Sequence, residues 1–227
     1  MAPKLCEVEI VGGSAYIDDQ HTTDLFEELV AQLFALSPRA VYRYHKDTVP
    51  LDLRLLPAVV NLVHIDFTSD CVDSVARLAR QCASTLQSLT VNGCNGRAGV
   101  GGVSEFIRDN AGGYVEYPCL RSLRLNISLD ARDAERPSFP GAVPFPSLRL
   151  LFMTSDYPFG DDVVFRKNAD SLEYLEIGLD PGMTALLNEC KVFSRTSHPK
   201  LRFVKTRIAC EGVPYSLAEY VGAALDI

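Results

Sequence analysis

His64 and Asp66 are the residues of this sequence whose types and spacing come closest to general acid–base chemistry. Two positions apart on a strand, an imidazole and a carboxylate share one face, as a base and its orienting acid must. No serine or cysteine nucleophile is set beside them by sequence, and the two read as an ordinary polar surface pair. His21, His45, His64 and His198 are too dispersed for metal-ligand spacing, and no Cys-x-x-Cys pair supports them. Gly93, Gly96, Gly99, Gly101 and Gly102 lack the Gly-Lys-Ser/Thr ending of a phosphate loop and read as a turn. Asp18-Asp19 and Asp161-Asp162 read as caps or solvated turns. We therefore expect no catalytic centre, metal or cofactor. The remaining chemistry is that of recognition, and it depends on which side chains share a surface.

The elements that create such a surface recur along the chain. Seven times a leucine is followed by residues three and five positions later that are almost always apolar. The copies are Leu5-Val8-Ile10, Leu62-Ile65-Phe67, Leu86-Leu89-Val91, Leu120-Leu123-Leu125, Leu148-Leu151-Met153, Leu172-Leu175-Ile177 and Leu201-Val204-Thr206. In the two columns after the leucine, thirteen of fourteen residues are apolar, against 47% hydrophobic residues in the whole chain. The last six anchors lie 24, 34, 28, 24 and 29 residues apart, and the gap before Leu62 leaves room for an eighth copy near Val41 and Tyr44. Such a period signals stacked supersecondary units, each burying its apolar side against its neighbours.

Each phrase has the period-two alternation of a strand with one buried face. Strands are expected near 4–11, 40–45, 61–68, 85–92, 119–127, 147–154, 171–178 and 200–207. Helical stripes intervene at Leu25, Phe26, Leu29, Val30 and Leu33 (N-cap Thr22 or Thr23), and at Val72, Val75, Leu78, Ala79 and Cys82 (cap Asp70). Others are Met183, Leu186, Leu187 and Cys190 after Asp180-Pro181, and Leu217 to Leu225 at the end. Strands joined by helices should run parallel. The glycine-rich stretch 92–113 carries only a short cluster of Val103, Phe106 and Ile107, and 128–146, with four prolines, reads as a loop. Pro3, Pro118, Pro146 and Pro199 precede anchor leucines and are expected to hold the chain extended there.

Composition narrows the function classes. The net charge of −7 and the pI near 5.1 disfavour non-specific nucleic-acid binding, which needs clustered Lys and Arg. No apolar run reaches the ~20 residues of a membrane span. The N-terminus lacks a signal-peptide pattern, so the sequon at Asn126 is not expected to matter. Seven scattered cysteines read as reduced thiols in a cytoplasmic or nuclear protein, with Cys71 and Cys82 in the core. A continuous repeat argues for one domain over 1–227.

These phrases make the sequence resemble the leucine-rich-repeat proteins, of the irregular, ribonuclease-inhibitor-like kind found in (often fungal) F-box-associated proteins. The family phrase is Leu-x-x-Leu-x-Leu-x-x-Asn/Cys-x-Leu. Its first half is matched seven times, across nearly the whole chain; eight residues after each anchor, Cys94 alone conforms, with Asp70, Asp156, Asp180, Gly13, Ser128 and Ala209 elsewhere. The resemblance implies an α/β solenoid with parallel strands on the concave side and helices or irregular loops on the convex side. Eight strands would span roughly 34 Å at ~4.8 Å each. It also implies a non-catalytic module that binds a protein, in the extreme the substrate-recognition part of a ubiquitin ligase. No segment reads as an F-box; with Leu5 so near the start, we expect the chain to belong to a longer protein supplying that or another module.

In this geometry the second, fourth and sixth positions after each leucine face away from the core. The outward face then begins acidic, at Glu7 and Glu9, and ends basic, at Lys205 and Arg207. Leu150, Phe152, Tyr174 and Phe203, bordered by Arg124, Glu176 and Lys205, form an apolar and aromatic patch, the usual material of a protein-binding hot spot. We take these seven residues, with His64 and Asp66, as the partner-binding set. The competing readings are a scaffold domain of a larger protein, with 128–146 covering the rings, and an unrecognised hydrolase around His64 and Asp66.

Overall fold

The computed structural model describes residues 7–11, 28–30, 32–33, 36, 40–45, 62–68, 72–92, 106–109, 113–126, 143–154, 170–179 and 198–208. Its frame is one parallel sheet. The strands are β1 (Glu7–Val11), β2 (Val41–His45), β3 (His64–Thr68), β4 (Ser88–Asn92), β5 (Ser122–Asn126), β6 (Leu150–Thr154), β7 (Tyr174–Leu179) and β8 (Phe203–Ile208). They lie side by side in chain order, every neighbour pair parallel. This α/β arrangement is the one the repeated phrase calls for. The degenerate copy is present as β2, between β1 and β3. Its inward residue is Tyr42, fully buried; Val41 stands in register with Glu7 and His64, on the other face.

From β3 onward each strand starts about three residues later than expected, so the anchor leucines are entry residues. Leu62, Leu86, Leu120, Leu148 and Leu172 are nevertheless fully buried. Behind them runs a repeated backbone pattern. The carbonyls of Val63, Gln87, Arg121, Arg149 and Glu173 each accept from two successive N–H groups of the next strand entry, at 2.8–3.2 Å. Every unit thereby satisfies the backbone of the next, as burial requires. The inner columns form one core that includes Ile65, Phe67, Leu89, Val91, Leu123, Leu125, Leu151, Met153 and Leu175. Each fully buried aliphatic or aromatic side chain there contributes about 1.5–3 kcal/mol, much of it offset by chain entropy.

Pro118, Pro146 and Pro199 do not extend the chain as expected, and Pro3 lies outside the described residues. The carbonyls of Tyr117, Phe145 and His198 accept from the N–H groups of Leu120, Leu148 and Leu201 at 3.2, 3.1 and 3.1 Å. Pro118, Pro146 and Pro199 are therefore second residues of β-turns, where their fixed φ is pre-set. The residue ahead of each proline points inward: Tyr117, Phe145 and His198 are buried, and the Tyr117 and Phe145 rings lie 5.4 Å apart. The Tyr117 hydroxyl donates to the carbonyl of Phe106 at 2.6 Å, which ties the buried pair Phe106 and Ile107 beneath β5.

The helix Val72–Gln81 buries Val75, Ala76, Leu78, Ala79 and, just past it, Cys82 in the same core. It covers the face to which the inner columns point. In the first helical stripe Val30 is buried and Leu33 packs on the core, but Leu29 is 53% exposed. One turn from Leu33, it sits on the edge of the stripe rather than its centre. Leu25, Phe26, Asp70, Cys71, the glycine run, both aspartate pairs, most of the 128–146 loop, and the helices expected after Pro181 and near the C-terminus lie outside the described residues.

Candidate functional site

The second face of the sheet carries the residues that the repeat turns away from the core. In β3 and β4 burial alternates along the strand, and in β5 Arg124 and Asn126 are exposed between buried leucines. Strand register then orders the outward residues into rows. One row runs Glu7, Val41, His64, Ser88, Ser122, Leu150, Tyr174, Phe203; the next runs Glu9, Arg43, Asp66, Thr90, Arg124, Phe152, Glu176, Lys205. Adjacent members stand about 4.8 Å apart, close enough for rings and long side chains to touch.

At the β6–β8 end they do touch. The Arg124 guanidinium lies 4.4 Å from the centre of the Phe152 ring. Phe152 and Tyr174 have ring centroids 5.1 Å apart, and Tyr174 and Phe203 6.3 Å, both tilted, the separations at which aromatic pairs attract. Leu150 extends the apolar surface and is 38% exposed; Phe203 is 62% exposed. Four of the residues singled out by sequence thus form one connected apolar surface, reached by Arg124 from the side.

Glu176 differs from the expectation of an outward, solvated carboxylate: it is buried, at 8% exposure. The Tyr174 hydroxyl donates to its Oε2 at 3.1 Å, and Lys205 Nζ lies 3.4 Å from its Oε1. Alternation assigned the face correctly, but neighbouring side chains tall enough to bury the carboxylate are not visible in a single strand. A buried carboxylate needs such donors. Here they also fix the Tyr174 ring beneath the patch.

His64 and Asp66 lie at the other end and are not brought together: no hydrogen bond joins them among the described residues. Arg43 instead draws in the acids, with Nε 3.4 Å from Asp66 and an ion pair to Glu7. Partial burial lowers the His64 pKa from its ordinary value, leaving the imidazole neutral at neutral pH. Arg43 entered no sequence reading, because the register of β2 had first to be known. Just ahead of the strands, Arg149 makes a two-pronged contact with Glu173, at 2.9 and 2.8 Å. That hydrogen bond holds the Glu173 carboxyl below its usual range.

Among the described residues no three of His, Cys, Asp and Glu converge as metal ligands, and no helix is long and apolar enough to cross a membrane. Comparison with protein-family models, curated proteins and solved structures finds no match.

Proposed function

We propose that the chain is a leucine-rich-repeat solenoid and a non-catalytic protein-interaction module, with a partner seated on the β6–β8 end of its outward sheet face. The observation that carries this reading is the connected surface of Leu150, Phe152, Tyr174 and Phe203. Rings in mutual contact, Phe152 and Tyr174 half-buried and Phe203 exposed, beside a guanidinium combine apolar area with little conformational entropy to lose. Further support for a solenoid comes from the strands in chain order, the repeated entry ladder and the helix Val72–Gln81 packed on the inward face. Against the hydrolase alternative stands the pairing of Asp66 with Arg43, which draws that carboxylate toward a guanidinium, and among the described residues no hydrogen bond joins it to His64. Substrate recognition for a ubiquitin ligase, in a cytoplasmic or nuclear setting, is the specific form of this proposal suggested by the family resemblance alone.

The test is affinity capture with the immobilised chain, identification of the bound proteins, and repetition with Phe152→Ala plus Tyr174→Ala. Recovery of the specific partner should fall at least about tenfold, equivalent to about 1.4 kcal/mol, while Thr90→Ala leaves it unchanged. A capture profile that the double variant does not alter refutes the surface.

A further inference from the structure

Charge around the aromatic surface is unevenly satisfied. Among the described residues of β6–β8 and their entries, the two best-placed carboxylates are already engaged, Glu173 by Arg149 and Glu176 by Lys205 and Tyr174. Three guanidinium groups, those of Arg124, Arg121 and Arg202, are in no ion pair among the described residues. Arg124 is exposed and touches only the face of Phe152; Arg121 and Arg202, one residue before β5 and β8, are exposed and have no ion pair among the described residues. Arg202 and Lys200 add to the positive field acting on Glu173. In a chain of net charge −7, the rings at this end of the sheet have beside them a guanidinium, that of Arg124, with no carboxylate partner among the described residues.

Building on the binding role proposed above, we infer that the occupant is an acidic peptide segment: an apolar or aromatic anchor set on Phe152, Tyr174 and Phe203, flanked by Asp or Glu that meet Arg124 and its neighbours. Charge complementarity selects this partner. A basic segment would meet the Arg124 guanidinium beside the rings, while Glu176, the acid in the same row, is committed to Lys205 and Tyr174. The Arg124 guanidinium lies over the Phe152 ring, so a carboxylate beside the anchor can accept from its N–H groups while the cation–π contact is kept.

The test titrates the full chain with three fluorescent synthetic peptides that share one Phe-Leu-Phe anchor. One is flanked by Asp/Glu, one by Asn/Gln and one by Lys/Arg. The acidic probe should bind at least about tenfold tighter than the neutral one, and that advantage should shrink as salt rises, because exposed charges are screened. R124M should bring the ratio of acidic-probe to neutral-probe affinity to about one, and R124E should turn the preference toward the basic probe. Equal binding of the acidic and neutral probes, both abolished by F152A/Y174A, would overturn the acidic partner and leave the binding surface standing. Binding of all probes indifferent to F152A/Y174A would remove the surface itself. The segment 128–142 of this chain carries Asp130, Asp133 and Glu135. If D130N/D133N/E135Q binds the acidic probe on the order of tenfold tighter than the unaltered chain, the chain's own segment is the occupant and the inference fails.

Discussion

Asp66 and Phe152 stand in the same row of the same sheet, three strands apart, on backbones with the same pairing and the same buried neighbours. Around Asp66 the face is polar and internally balanced: Arg43 spans Glu7 and Asp66, and His64 stays neutral. Around Phe152 the face is apolar, its rings in tilted contact with one another and its nearest guanidinium over a ring. The inner columns hardly change between these regions. A parallel sheet whose core packs on one face can vary the other without altering its backbone, so the contrast along the outward face bears on the proposed binding role while the sameness along the inward face does not.

The largest effect should come from breaking what the regions share. Leu123, fully inside and central in the sheet, links both ends of the core. Leu123→Ala should cost about 2–5 kcal/mol, through lost burial and the cavity left behind. Urea unfolding would show the midpoint fall, with Thr90→Ala in the next strand as a near-silent control. If the two changes cost the same, the sheet does not have one load-carrying face.

Next comes the turn chemistry. Tyr117→Phe keeps the ring contact with Phe145 but strips the hydroxyl from the Phe106 carbonyl. A buried acceptor left unpaired costs about 1–3 kcal/mol. A loss that large on unfolding, from a single oxygen, would show that the β4–β5 connection is part of the same cooperative core. No loss would separate it from the sheet.

Alkaline pH should then weaken the shared core ahead of the outward face. Burial pushes the Cys82 thiol up to about 11 from 9.0 and the Tyr42 hydroxyl up to about 12 from 10.0; Tyr117 is raised by the same cause. Each folded pKa lies above its unfolded value, so the unfolded chain loses these protons first. Stability is full below about pH 9 and falls as pH rises through 9–11 for Cys82 and 10–12 for Tyr42. Unfolding free energies measured at pH 8, 10 and 11 should decline in that order; a flat profile would place these groups in water.

What could be read from the sequence follows the same division. The inner columns were legible because period two and apolar volume are local properties: Ile65, Leu89, Leu123 and Leu151 declare themselves without any partner. The apolar patch was legible too, since register follows once every phrase is aligned on its leucine. Three things were not. The inward aromatic before each turn, at Tyr117, Phe145 and His198, was hidden by attention to the proline after it, although Tyr/Phe/His-Pro-x-Leu is itself a repeated signal. The burial of Glu176 depends on the heights of side chains on two neighbouring strands. The pairing of Arg43 with Glu7 and Asp66 depends on the register of a strand whose own phrase is degenerate.

The smallest expected effect sharpens the contrast most. Arg149 and Glu173 show the best-formed ion pair among the described residues, two parallel contacts between adjacent strand entries, yet both groups are open to water. Exposed pairs gain little, because solvent screens the attraction and ordering two long side chains costs entropy. Glu173 has its pKa lowered, so whatever the pair contributes is present above the ordinary carboxylate range and fades as pH falls through the depressed value. Arg149→Met should leave the urea midpoint at pH 7 indistinguishable from the unaltered chain. By contrast, Lys205→Met takes the cation from the buried Glu176 and should cost about 1 kcal/mol. Two ion pairs on neighbouring strands would then differ in consequence by burial alone. Equal losses from the two substitutions would show instead that the β6–β8 end is held together by its charges, and that its rings are structural supports with no surface left to offer a partner.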